Sequence, residues 1–188
     1  VPSRAKRAKP DPVFMLAGGP GQSALESFPV AAAAFRDILR ERDVVLVDQR
    51  GTGGSHPLDC EPAESLALQS VFEDALPEKM VLECLEGLDA DPRHYATTTA
   101  MADLDEVLGA LGYAKVNLWG GSYGTRAALV YLRQHEAQVR SVVLDGVAPQ
   151  DMRLPLTTAR DAQRALDRLI ADCAADTACA ATFPALGA

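Results

Sequence analysis

Residues 120–124 read Gly-Gly-Ser-Tyr-Gly, a segment of the form Gly-x-Ser-x-Gly. A short apolar run at 115–119 precedes this segment, and an alanine-rich amphipathic stretch at 125–136 follows it. A strand that enters a sharp turn and leaves as a helix is the context in which this pattern forms a nucleophile elbow. Glycines on both sides allow the tight turn and keep other side chains away from the serine. We therefore expect Ser122 to lie exposed at the end of a buried strand.

Two more apolar runs are each followed by a glycine-rich loop. Residues 13–16 precede Ala-Gly-Gly-Pro-Gly-Gln-Ser at 17–23, and residues 44–47 precede Asp-Gln-Arg-Gly-Thr-Gly-Gly-Ser at 48–55. Continuous short runs of β-forming apolar residues are typical of strands that are buried in a parallel sheet. In this order, the three units resemble the α/β-hydrolase fold, and more narrowly the prolyl and tripeptidyl aminopeptidase branch of serine peptidases.

Stretches with helical periodicity separate the apolar runs. We expect helices at 28–42, in part of 62–89, at about 98–111, at 124–136 and at 157–172, and a fourth strand at 139–145. Thr98 or Thr99 is the expected N-cap of the third of these helices. Strands that alternate with helices imply an α/β fold, in which a parallel sheet carries helices on both faces.

The resemblance implies that the chain consists of three parts. Residues 1–12 form a basic, solvated tail, residues 13–146 a partial α/β-hydrolase core, and residues 147–188 the beginning of a helical cap or lid. In this fold, the acid and the base of the catalytic triad follow the serine in the chain. We therefore expect the chain to be the N-terminal portion of a larger enzyme, with the missing C-terminal part of the same protein as its partner.

Ser122 is the expected nucleophile, because a helix N-terminus favours the negative charge that develops when a serine attacks a carbonyl group. The backbone N–H of Tyr123 supplies one donor of the oxyanion hole in such an elbow. The resemblance places the second donor at the backbone N–H of Gly19. Related proteins commonly carry a histidine where this chain has Ala17, a departure that concerns support of the loop more than the mechanism.

The chain has three histidines, and none is well placed to activate Ser122. His56 and His94 precede the serine, and His56 could approach the site only out of the usual order. His135 follows late in the elbow's own helix, nearly 20 Å from the helix start at about 1.5 Å per residue, and is expected on the surface. Asp145 ends the next strand and is a candidate acid, although a structural role suits it better. We expect the acid and the base to lie beyond residue 188.

The Asp-Gln-Arg segment that follows the second apolar run resembles a signature of the same branch of peptidases. We expect Asp48 and Arg50, together with the adjacent glycines, to hold this loop beside the elbow. A direct role in substrate binding is the alternative.

The resemblance implies a serine hydrolase that removes residues from peptide N-termini through an acyl-enzyme on Ser122. Its substrates would be peptides or small amides and esters. Two alternatives stay open: an esterase or other small-molecule hydrolase of the same fold, and a non-catalytic domain that kept the fold and lost the triad. No phosphate-binding glycine motif and no metal-ligand spacing occur in the sequence, so we expect no cofactor and no metal.

The net charge and the cysteines indicate which partners and which cellular location suit the protein. The net charge of −8 makes nucleic acid an unsuitable partner, and no apolar run approaches the length of a membrane span. The spacing of the four cysteines favours the pairs Cys60–Cys84 and Cys173–Cys179. Such bridges occur in periplasmic and secreted members of the peptidase branch that this chain resembles, so we expect the protein to be periplasmic or secreted. Four reduced thiols in a cytosolic protein are the alternative.

Overall fold

In the part of the chain that the structure describes, four parallel strands form the sheet that the apolar runs predict. The strands are β1 (Val13–Leu16), β2 (Val44–Leu46), β3 (Val116–Gly121) and β4 (Val139–Asp145). Their order across the sheet is β2-β1-β3-β4, and every neighbouring pair is parallel. In this computed structural model, residues 1–59, 78–153 and 156–186 are described.

The described residues divide into two compact units, Val1–Ala148 and Pro149–Ala188. Among its described residues, the first unit contains the sheet and four α-helices: α1 (Ala24–Ala31), α2 (Glu78–Gly87), α3 (Thr97–Ala110) and α4 (Tyr123–Gln134). The second unit contains α5 (Thr158–Ala175) and α6 (Thr177–Thr182). Whether this second unit begins a lid stays a prediction.

The predicted disulfide between Cys173 and Cys179 is present, and it links the end of α5 to α6 with a Cα–Cα distance of 5.2 Å. The other predicted pair, Cys60–Cys84, includes Cys60, which lies outside the described residues. The predicted helical segment at 62–89 lies largely outside them too, although its last part is α2.

The core explains why β1 is apolar at every position. Phe14 and Leu16 pack on one face of the sheet against α3 and α4, whereas Val13 and Met15 pack on the other face against α1 and the turns after it. Alternate side chains of a strand point to opposite faces. A strand that is buried on both faces therefore needs an unbroken apolar run, and the predicted α/β fold with helices on both faces is confirmed.

Two helix boundaries differ from the sequence prediction. The expected helix at 28–42 instead begins at Ala24, because the Ser23 hydroxyl accepts a hydrogen bond from the Glu26 N–H and caps the first turn. It ends at Ala31, two residues after Pro29, which carries no N–H to donate. The predicted cap at Thr98 or Thr99 is wrong: Ala96 occupies the N-cap of α3 without any side-chain hydrogen bond.

Most residues of the N-terminal segment are exposed, and its backbone is also hydrogen-bonded to the rest of the first unit. The amino group of Val1 donates to the Val44 carbonyl over 2.8 Å, and the Val44 N–H donates back to the Val1 carbonyl over 2.9 Å. The Arg4 N–H donates to the Leu39 carbonyl. β2 lies at an edge of the sheet, where unpaired backbone groups need partners, and the N-terminal segment supplies some of them.

Candidate active site

Ser122 occupies the turn between β3 and α4 and is exposed, as the Gly-x-Ser-x-Gly pattern predicts. Its backbone has φ 53° and ψ −119°, a region that residues with a side chain rarely adopt. Such a conformation costs about 1–3 kcal/mol and persists only where the surrounding structure enforces it. Because of this conformation, Ser122 continues neither β3 nor α4, and its side chain is exposed at the end of the sheet.

The glycines of the elbow are required by close contacts between backbone segments. A Cβ added at Gly120 would lie 2.3 Å from the carbonyl oxygen of Gly124. A Cβ added at Gly124 would lie 2.0 Å from the carbonyl oxygen of Leu16, at the end of β1. The first turn of α4 therefore sits directly on the end of β1, and this contact positions the elbow relative to the loop that follows β1.

That loop, residues 17–22, contains the predicted oxyanion donor Gly19 and runs beside the serine. A Cβ added at Gly18 would lie 3.2 Å from the Cβ of Ser122. Gly19 has φ 98°, a left-handed conformation that glycine adopts without strain. Tyr123 is the first residue of α4, so its N–H has no partner within the helix. The roles assigned to the Gly19 and Tyr123 N–H groups stay predictions.

A groove of about 500 Å³ opens beside Ser122. Its walls are mainly apolar and include Met15, Val30 and Trp119, and Ala17 also contributes to the lining. Trp119 could have been anticipated, because it directly precedes the elbow. Val30 belongs to the apolar stripe of the expected helix at 28–42, but it is 92% exposed on α1, and no motif marks it as a groove residue.

A buried carboxylate ties the loop after β2 to the loop after β1. Asp48 accepts hydrogen bonds from the Ser23 hydroxyl over 2.8 Å and from the Gly54 N–H over 2.9 Å. Burial alone raises the pKa of this carboxyl group, but the hydrogen bonds outweigh that effect and hold the pKa below its ordinary value. Asp48 is therefore ionised and connects the two loops, and its contacts fit the structural role that the sequence predicts.

Arg50 extends from the same loop to α3. Its Nε donates to Oδ2 of Asp103 over 2.6 Å, its Nη2 donates to Oδ1 of the same carboxylate, and its Nη1 donates to the His94 carbonyl. The planar guanidinium group matches the two carboxylate oxygens. These contacts occupy the charged group of Arg50 within the protein, which again fits a structural role.

None of the three histidines, all of which lie in the described part of the chain, lines the groove beside Ser122. His56 pairs with Asp89 over 2.9 Å at the surface, and His94 is exposed. His135 differs from the expected surface residue, because its side chain is only 20% exposed. Its ring packs against that of Tyr131, and its Nδ1 lies 3.5 Å from Oδ2 of Asp105.

Asp145, the candidate acid, does lie at the site. It lines the groove together with Ser122, and its backbone carbonyl accepts a hydrogen bond from the Ser122 N–H over 2.8 Å. The carbonyl contact gives Asp145 a structural function at the elbow. Without a histidine in the groove, the described residues show no base for its carboxylate to orient.

A parallel α/β sheet with a serine elbow at a strand end defines an α/β hydrolase. Residues 11–180 match the alpha/beta hydrolase fold family, and the chain belongs to that family. The serine protease Hip1 of Mycobacterium tuberculosis is 29% identical over 183 residues, a match that covers 86% of this chain and 35% of Hip1. The tripeptidyl aminopeptidase of Streptomyces lividans is 30% identical over 146 residues, which covers 69% of this chain and 27% of that protein.

Among solved structures, the proline iminopeptidase-related protein of Thermus thermophilus matches at 26% identity with a TM-score of 0.47. The match covers 73% of this chain and 38% of that structure. The chain thus spans about a third of the length of the curated relatives named above. Within the described ranges, no helix is long and apolar enough to cross a membrane, and no cluster of side chains could hold a metal ion.

Proposed function

We propose that this chain supplies the nucleophile and the oxyanion hole of a serine hydrolase that removes residues from the N-termini of peptides. The exposed Ser122 in its strained elbow, beside the loop of residues 17–22, is the observation that carries this proposal. A strained serine at the end of a strand and the start of a helix is the arrangement that this reaction uses. The named activity of the Streptomyces lividans relative supports the choice of peptide N-termini.

In the proposed reaction, Oγ of Ser122 attacks the carbonyl carbon of the scissile amide while a base takes the hydroxyl proton. The carbonyl oxygen becomes an oxyanion that accepts hydrogen bonds from the N–H groups of Gly19 and Tyr123, and one such donor is worth roughly 3–4 kcal/mol. The tetrahedral intermediate then expels the amine, which receives the proton from the base. Water hydrolyses the ester on Ser122 and releases the N-terminal fragment.

We place the acid and the base of this reaction outside the chain, in the remaining C-terminal part of the same protein. The positions of His56, His94 and His135 support this placement, because all three lie away from the groove and contact other carboxylates or solvent. The second unit would be the beginning of a helical lid in the assembled enzyme.

We also propose a periplasmic or secreted location. The Cys173–Cys179 disulfide supports it, since such bonds persist in oxidising compartments and are rare in the cytosol. Alkylation of thiols in the protein as isolated from its own cells tests the location. The proposal predicts that Cys173 and Cys179 escape alkylation until a reductant is added, and labelling of both without reductant would contradict it.

Hydrolysis by the natural full-length protein tests the proposed activity. The substrates are tripeptidyl and aminoacyl arylamides with a free α-amine, the same arylamides acetylated at the N-terminus, and short-chain aryl esters. Turnover of free-amine substrates that exceeds turnover of their acetylated forms, and that Ser122→Ala abolishes, is the expected result. Turnover of the esters without turnover of any free-amine arylamide would indicate an esterase, and no turnover together with no fluorophosphonate labelling would indicate a non-catalytic domain.

A further inference from the structure

We propose that Thr125 is a positioning residue that holds the nucleophile in place through the backbone of Ser122. This inference rests on the proposed function, because it concerns how the same serine is aimed. Thr125 does not line the groove, and its hydroxyl reaches the nucleophile through the backbone carbonyl of Ser122.

The Thr125 hydroxyl is fully buried and has two partners on different elements. Its Oγ donates to the Ser122 carbonyl over 2.7 Å and accepts a hydrogen bond from the Ala148 N–H over 2.8 Å. The Thr125 N–H also donates to the Ser122 carbonyl, over 3.0 Å. One carbonyl oxygen therefore receives two hydrogen bonds from the same residue.

These contacts close a ring around the elbow. The Ser122 N–H donates to the Asp145 carbonyl over 2.8 Å, and the chain then turns through Gly146, with φ 64°, to reach Ala148. The Ala148 N–H returns to Ser122 by way of the Thr125 hydroxyl. Both backbone hydrogen-bonding groups of Ser122 are thus fastened to the turn of residues 145–148, and the hydroxyl is the link that completes the ring.

The ring explains how an uncommon backbone conformation is maintained. A residue at φ 53° relaxes toward an ordinary conformation unless its backbone groups are held. Such a relaxation would rotate the Ser122 side chain away from the space beside the residue 17–22 loop. Because reacting atoms must meet within a few tenths of an ångström of the productive geometry, a small rotation is expected to slow acylation far more than it weakens substrate binding.

A threonine hydroxyl in a helix often bonds to the carbonyl of the preceding turn without any consequence for function. Two features separate Thr125 from that ordinary case. The carbonyl that it holds belongs to the nucleophile, and the hydroxyl carries a second hydrogen bond to another loop. Thr182 shows the ordinary arrangement, because its exposed hydroxyl donates only to the Ala178 carbonyl, four residues earlier in α6.

The natural full-length protein with Thr125→Val and Thr125→Ser tests the proposal. Valine keeps the shape of the side chain and removes both hydroxyl contacts, whereas serine keeps them. We expect Thr125→Val to lower both kcat and the rate of fluorophosphonate labelling at Ser122 by roughly 10- to 100-fold with KM little changed, as a displaced nucleophile would. Thr125→Ser should restore most of both rates. Thr182→Val is the matched control and should leave both rates unchanged.

Circular dichroism and thermal melting of each variant show whether it is folded at the assay temperature. If Thr125→Val does not fold, Thr125→Ala serves in its place, because it also removes the hydroxyl; it should lower the labelling rate in the same direction. A folded Thr125→Val protein that labels at the wild-type rate, or a loss that serine fails to restore, would overturn the inference alone. Absence of labelling at Ser122 in the unaltered protein would instead overturn the proposed function, and this inference with it.

Discussion

The two sides of Ser122 differ in which catalytic groups the described residues of this chain place beside it. On the oxyanion side, the loop of residues 17–22 runs beside the serine, and the first turn of α4 rests on the end of β1. On the opposite side, where a base would stand, none of the three histidines, all within the described residues, lines the groove. The nucleophile and its proposed anion donors therefore form one local structure, whereas the groups that transfer the proton have to come from elsewhere in the protein.

Sheet topology explains why the oxyanion side can be local. β1 and β3 are neighbouring parallel strands, and Leu16 lies opposite Gly120 in their register. Loops that follow the carboxyl ends of neighbouring parallel strands meet at one edge of the sheet. Two βα connections are therefore enough to bring the residue 17–22 loop against the elbow.

Removal of the nucleophile gives the largest expected effect. Ser122→Ala in the natural full-length protein should lower kcat by roughly 10⁶-fold, because loss of a triad serine costs about that much where it has been measured. The measurement is steady-state hydrolysis of free-amine arylamides. Ser3→Ala, at a serine whose backbone N–H is hydrogen-bonded to Asp43 outside the groove, is the control and should keep full activity.

The second largest effect is expected from a bulkier residue at the contact between α4 and β1, which supports the oxyanion side of Ser122. Gly124→Ala places a Cβ 2.0 Å from the Leu16 carbonyl oxygen, and both partners are backbone, so we expect a loss of more than about 3 kcal/mol in unfolding free energy. Urea denaturation checks this. Gly109→Ala, in α3 with nothing within 4 Å of the new Cβ, should instead stabilise by up to about 1 kcal/mol. Equal effects from the two substitutions would contradict the described contact.

Asp48 tests the anchoring of the loop on the same side. Asp48→Asn should lower the unfolding free energy by about 1–3 kcal/mol at neutral pH, since an amide N–H then faces groups that donate hydrogen bonds. The folded pKa of Asp48 lies below its ordinary value, so this stabilisation is present above about pH 4 and is lost as the pH falls through the folded pKa. The difference between wild type and variant should therefore shrink in acid.

Urea denaturation at several pH values measures this difference. Asp37→Asn is the control, because the Asp37 side chain is 83% exposed, and it should change the unfolding free energy little at any pH. A destabilisation by Asp48→Asn that persists unchanged at acid pH would show that the charge of Asp48 is not what anchors the loop.

The smallest expected effect comes from Arg50. Arg50→Lys keeps the charge and loses the two-pronged contact with Asp103, so we expect a loss of about 1 kcal/mol in unfolding free energy. Thermal melting suffices to measure it. Arg160→Lys, at a side chain in α5 that is 70% exposed, should have no measurable effect. A large loss of activity in Arg50→Lys without loss of stability would instead favour substrate binding by Arg50.

The sequence predicts the sheet and the elbow well because both depend on local patterns. Unbroken apolar runs mark strands buried on two faces, and Gly-x-Ser-x-Gly marks a turn in which close backbone contacts at Gly120 and Gly124 exclude side chains. Contacts between distant segments leave no such pattern. The pairing of Val1 with Val44 and the link from Thr125 to Ala148 both depend on tertiary neighbours that no local period reveals.

The site and rate of fluorophosphonate labelling in the natural full-length protein test whether Ser122 is the nucleophile and whether its base lies outside this chain. Peptide mapping locates the label in the unaltered protein and in three single variants, His56→Gln, His94→Gln and His135→Gln. We expect the label on Ser122 and the wild-type labelling rate in all three variants, because the proposed base lies outside this chain. A label on another serine, or a folded histidine variant that no longer reacts, would show that the proposed division of the active site is wrong.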